Sequence, residues 1–81
     1  MMVSVQFWSY LADLAATRTW EVELTSGSTV GTLLDQIYLR FPQLLPMRSS
    51  TLVALGVEYA QVTDTLVPGS VISLFPPVQG G

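Results

Sequence analysis

Apolar and polar residues alternate from the start of the chain, with Val3, Val5 and Phe7 out of phase with Ser4, Gln6 and Trp8. A period of two predicts a strand with one buried face. Ser9 is placed to cap a short helix over residues 10–17, with Leu11, Leu14 and Ala15 on its inner side. Trp20, Val22 and Leu24 then alternate with Thr19, Glu21 and Glu23. One wet face predicts an antiparallel strand at or near a sheet edge, with Glu21 and Glu23 on its solvated side. After the loop-type run Thr25-Ser26-Gly27-Ser28 the period changes. Val30, Leu33, Leu34, Ile37, Tyr38 and Phe41 recur at the spacing of one broad helix face. Ser28 or Thr29 can cap this helix. Pro42 stops it, because proline lacks an N–H and pushes the preceding residue out of helical geometry.

Residues 42–50, which include Pro42 and Pro46, read as an irregular crossing. Leu52 to Leu55 is a short strand that turns at Gly56-Val57 and returns through Glu58-Tyr59-Ala60. Residues 63–66 read as a short turn, and Pro68-Gly69 as a turn of the type II kind. Val71 to Phe75 is a final strand, apolar enough on both faces to belong in the middle of a sheet. The order is β, short α, β, long α, β, β, β, without an internal repeat. One sheet carrying one principal helix is an α+β roll.

Composition narrows the chemistry. The 81 residues make one small domain, and Leu, Ile, Val and Phe supply 27 of them, which argues against disorder. No apolar run approaches the ~20 residues of a spanning helix, and Asp13 interrupts the first apolar region, so neither a membrane span nor a signal peptide is expected. With no Cys and no His, the chain lacks a thiolate or imidazole for metal binding or nucleophilic work, and no metal site is expected. Arg18, Arg40 and Arg48 are the only basic side chains, and the net charge is -3. Nucleic acid, which calls for clustered positive charge, is set aside. Charged residues are only 11% of the chain, so a mildly acidic, apolar-rich surface suits docking onto a larger, more basic protein.

The chain closes with Pro76-Pro77-Val78-Gln79-Gly80-Gly81. Two prolines end the strand and favour an extended path, so the reading is a domain over residues 1–75 and a tail over residues 76–81. Fully extended, such a tail reaches at most ~20 Å. Two glycines present no side chain, so they can enter a passage too narrow for any other residue. What they offer at the tip is a carboxylate.

In these features the chain resembles the ubiquitin-like β-grasp sulfur carriers, and among them the small subunits of molybdopterin synthase. The resemblance rests on Phe75-Pro76-Pro77-Val78-Gln79-Gly80-Gly81, on Pro68-Gly69 before Val71-Ile72, and on Thr29-Val30 and Arg40-Phe41-Pro42 at the two ends of the long helix. Val53-Ala54-Leu55-Gly56-Val57-Glu58-Tyr59 adds to it. Leu55 stands where the family often has Asn, and Ser70 where it often has an acidic residue. Thiamin-pathway carriers share the terminal glycines but typically lack the paired prolines.

The resemblance implies a β-grasp roll, with a mixed sheet of about five strands under one main helix, and a cytoplasmic sulfur carrier in molybdenum cofactor biosynthesis. An adenylating, E1-like activating enzyme that uses ATP and magnesium would activate the Gly81 carboxylate, and a sulfur donor protein would convert it to a thiocarboxylate. The tail would then enter the large subunit of a heterotetrameric synthase and pass sulfur to cyclic pyranopterin monophosphate. Gly81 would supply the reacting group. Gly80, Gln79 and Val78 would thread, and Pro76 and Pro77 would aim the tail. Phe75, Phe7 and Tyr59 would contact the partner, with a place in the core as the competing role for each. No cofactor is expected on this chain, and the catalytic side chains are expected on the large subunit. The alternatives are a thiamin-type carrier, a ubiquitin-like protein modifier, and a β-grasp interaction module with no terminal chemistry.

Overall fold

The computed structural model describes residues 1–77; Val78, Gln79, Gly80 and Gly81 lie outside the described residues. The first alternating run forms β1 (Met2–Phe7), and its inward residues Val3, Val5 and Phe7 are all buried. A short helix α1 (Tyr10–Ala15) follows, then β2 (Thr19–Glu23) and the long helix α2 (Val30–Arg40). A 3-10 helical run spans Pro42–Ser50. The chain then makes β3 (Leu52–Leu55), β4 (Glu58–Tyr59) and β5 (Val71–Phe75). The sheet order is β2-β1-β5-β3-β4. β5 runs parallel to β1, and the other neighbouring pairs are antiparallel. β2 lies at an edge and β5 at the centre, as the polarity of their faces predicts.

The apolar stripe of α2 and the inner face of the sheet share one core. Val30, Leu33, Ile37 and Phe41 join Val3, Val5, Ile72 and Leu74 there, with Leu11 from α1 and Leu44 from the 3-10 run. The Thr29 hydroxyl accepts from the Thr32 N–H at 3.3 Å and caps α2. Ser28 instead donates to the Thr25 carbonyl at 2.7 Å. Other first-turn donors of α2 are met by backbone: Val30 N–H reaches the Asp64 carbonyl, and Gly31 N–H reaches that of Val62, each at 2.9 Å. Free N–H groups at a helix start need such acceptors.

Some expectations change. Ser9 does not cap α1: it sits at φ 56, ψ -139, and its side chain makes no cap bond. The sharp exit from β1 sets that backbone, and the first donors are met by the carbonyls of Trp8 and Ser9, which accept from Leu11 and Ala12. The helix ends at Ala15, short of Thr17, and Leu14 is 40% exposed, so it is not on the inner face. The reverse turn expected over 63–66 sits earlier: Asp64 N–H donates to the Gln61 carbonyl at 3.0 Å, while Thr65 bridges to Thr29. Ser70, where the family often has an acid, is buried, and its hydroxyl donates to the Val67 carbonyl at 2.7 Å and accepts from the Val67 N–H at 3.0 Å. A carboxylate at that depth would be costly to desolvate.

Candidate functional site

Strand register decides which side chains share the open face, opposite α2. Gln6 lies beside Thr19 on one flank and Ser73 on the other; Ser73 pairs with Ala54, and Ala54 with Tyr59. The neighbouring row pairs Phe75 with Leu52. Trp8, just past the end of β1, lays its indole against the Phe75 ring, with centroids 5.6 Å apart and planes 17° from parallel. The Trp8 N–H, donating to the Leu74 carbonyl at 3.1 Å, continues the β1–β5 ladder and holds the pair in place.

The open face is therefore divided. Its β2 side carries exposed Glu21 and Glu23, and Ser4 donates to Glu21 at 3.4 Å. Its β5–β3–β4 side is apolar and forms an open groove of about 590 Å³, lined by Trp8, Leu52, Val57, Tyr59, Phe75 and Pro76. Trp8 is 47% exposed, Tyr59 74% and Val57 fully exposed. Large side chains held at the surface beside one another are a partner-binding feature. The groove also lies where β5 hands over to the prolines.

Two of the three side chains expected to contact a partner stand at this groove. Phe75 is half-buried against Trp8, and Tyr59 projects from β4. Phe7 does not. It is 3% exposed and packs edge-on to Phe41 at 5.1 Å, on the core side of the sheet. Its place in β1 makes it part of the core, and Trp8 is the aromatic that faces out. The signal for Trp8 was present, since a tryptophan occupied the polar phase of β1's alternation. Pro76 lines the groove; Val78, Gln79, Gly80 and Gly81, expected to thread and react, lie outside the described residues.

Among the described residues no group of three or more Asp, Glu, His or Cys could hold a metal ion, and no helix is long and apolar enough to cross a membrane. The site is an apolar surface beside the end of β5.

The ThiS family model matches residues 5–81, and the chain belongs to that family. It is similar to the molybdopterin synthase sulfur carrier subunit of Arabidopsis thaliana, with 28% identity over 79 residues, 98% of this chain and 82% of the relative. The crystal structure of SAMP1 from Haloferax volcanii is 28% identical, covers all of both chains and superposes with a TM-score of 0.88. A complex of subunits 1 and 2 of the molybdopterin-converting factor from Helicobacter pylori contains a chain 26% identical, again with full coverage of both, at a TM-score of 0.73. The five-stranded mixed sheet with its helix is the β-grasp fold of these ubiquitin-like carriers.

Proposed function

We propose that the chain is the sulfur carrier subunit of a molybdopterin synthase, working in the cytoplasm. The observation that carries the reading is the Trp8–Phe75 pair, set in an apolar groove where β5 gives way to Pro76-Pro77, four residues before Gly81. A docking surface beside the root of a segment that ends in two glycines suits a protein that delivers its end into another protein. The named relatives support the same reading.

In this reading a bare carboxylate is a poor acyl donor, because oxide would have to leave. An activating enzyme that uses ATP and magnesium joins AMP to the Gly81 carboxylate and releases pyrophosphate. Sulfide delivered by a sulfur donor protein then attacks the Gly81 carbonyl carbon, the C–O bond to AMP breaks with its electron pair, and a thiocarboxylate remains. The large subunit takes the tail, with the groove seated on its surface, and sulfur passes to cyclic pyranopterin monophosphate. The chain itself holds no cofactor.

Intact mass spectrometry after incubation with the activating enzyme, ATP and sulfur donor tests the reading. The expected result is a mass gain equal to sulfur replacing one oxygen, confined to Gly81. An unchanged mass, with the activating enzyme proven active on another carrier, removes it. A protein modifier is the second reading, favoured by the full-length similarity to SAMP1. It predicts Gly81 joined through an amide to lysines of other proteins.

A further inference from the structure

The three basic side chains are all arginine, and the sequence contains no Lys, Cys or His. At average usage, with charged residues near 25%, roughly five lysines would be expected in a chain of this length. Arginine is no substitute as a nucleophile, because its guanidinium stays protonated in proteins. Serine, threonine and tyrosine hydroxyls are weak acyl acceptors without an adjacent base, and the usual base is missing too. One amine remains, at Met1. It donates to the Leu24 carbonyl at 2.6 Å in a partly buried position where β1 meets the end of β2. To attack, that nitrogen has to lose its proton and be reached in its partly buried place between the two strands.

We infer that this chain is built to be an acyl donor only: its own surface offers its activated end no competent acceptor. The inference rests on the proposed activation of Gly81 and holds for either reading of it. An acyl adenylate is open to any amine. The nitrogen attacks the Gly81 carbonyl carbon, the C–N bond forms, the C–O bond to AMP breaks with its electron pair, and the amine proton passes to solvent. In a concentrated pool of activated copies, surface lysines would divert the acyl group into dimers and longer chains. Without them the activated end survives until the partner or sulfur donor arrives. Used as a modifier, the same chain would add to targets singly and would not extend into chains of itself.

The test separates this property from biological activation. The full chain is prepared chemically with a C-terminal thioester, in which the amine displaces a thiol and the C–S bond breaks. Copies are incubated at high concentration and covalent dimers are followed by mass spectrometry. Two variants are compared with the natural sequence: Val57→Lys, at a fully exposed position, and a Gly-Ser extension before Met1 that carries the amine away from Leu24. Dimer formation by the lysine variant should rise about tenfold per pH unit between pH 7 and 9, following deprotonation of an ordinary lysine. The natural chain should form about tenfold less dimer than either variant at pH 9, with no such rise. Equal dimer yields in the natural chain and the variants overturn the inference, whether all are high or all are low. Failure of activation by enzyme and ATP, with the thioester result intact, would instead remove the carrier reading alone.

Discussion

Ala16 closes α1 in the left-handed region, at φ 61 and ψ 24, and its N–H donates to the Asp13 carbonyl. A Cβ in that region crowds the following carbonyl, at a cost of roughly 1–2 kcal/mol that glycine does not incur. Glycine loses some of this advantage through the greater freedom of its unfolded chain. Ala16→Gly should therefore stabilise the fold by about 0.5–1 kcal/mol, raising Tm by roughly 2–8 °C for a domain of this size. Calorimetry decides it; a lower Tm would mean that the unfolded-state term dominates. At the other end of the chain one side chain matters by its absence. In the proposed threading, Gly80→Phe would place a ring where a bare backbone must pass. Sulfur transfer should fail almost completely, while the melt stays within about 0.5 kcal/mol of the natural chain. Full activity of that variant would show that the tail enters no narrow passage.

At the scale of elements, α2 and the 3-10 run meet through Tyr38. Its side chain is buried, and the Arg48 guanidinium lies 4.8 Å from its ring centroid while also reaching Asp35 at 3.0 Å. Burial pushes the phenol above its ordinary 10.0, and nearby Thr51 and Arg48 pull partly the other way. With the folded pKa raised, the unfolded chain gives up its proton first. The stability this phenol contributes is whole below about pH 10 and is lost as pH rises through the folded value. Tyr38→Phe should flatten the alkaline fall of Tm, measured by melts on either side of pH 10; an unchanged fall would show that the buried phenol contributes nothing to it. The same region marks how far the sequence could be read. The strands and α2 were legible because burial imposes a period, and Val3-Val5-Phe7 and Leu33-Leu34-Ile37 keep it without a break. The cap and end of α1 and the helical nature of the run after α2 were not. Whether Ser9 caps α1 depends on a backbone angle that no spacing encodes, and the 3-10 run over Pro42–Ser50 buries only Leu44, so it leaves no stripe. Trp8 shows the same limit for the site. Its exposure to the open face could be read from its phase, but its partner is set by where β5 arrives, 67 residues later at Phe75.

For the whole molecule, the question is what the two faces of one sheet are for. The inner face is closed by α2 and carries Phe7 into the core, so the proposed docking surface is built from what remains outside. In that proposal the acidic flank at Glu21 and Glu23 and the apolar groove at Trp8, Phe75 and Tyr59 would divide the labour. Charge can steer approach to a basic partner, while the apolar sector supplies the contact area. Trp8 and Phe75 are stacked before any partner arrives, which lowers the entropy lost on binding. A double-mutant cycle on Trp8→Ala, Phe75→Ala and the pair together separates docking from folding. In the free chain, the stack should show a coupling of about 0.5–1.5 kcal/mol in stability. Against the large subunit, each single variant should lose about 2–4 kcal/mol of affinity, roughly thirtyfold or more, as central aromatic anchors do. Glu21→Gln with Glu23→Gln should instead slow association and weaken its salt dependence, with little effect on dissociation. Because Phe75 is only half-buried, its loss should cost less stability than the ~3–5 kcal/mol of a core phenylalanine such as Phe7. Unchanged affinity beside a large drop in Tm would assign the Trp8–Phe75 stack to holding β5 against β1, and the partner would then have to grip the molecule elsewhere.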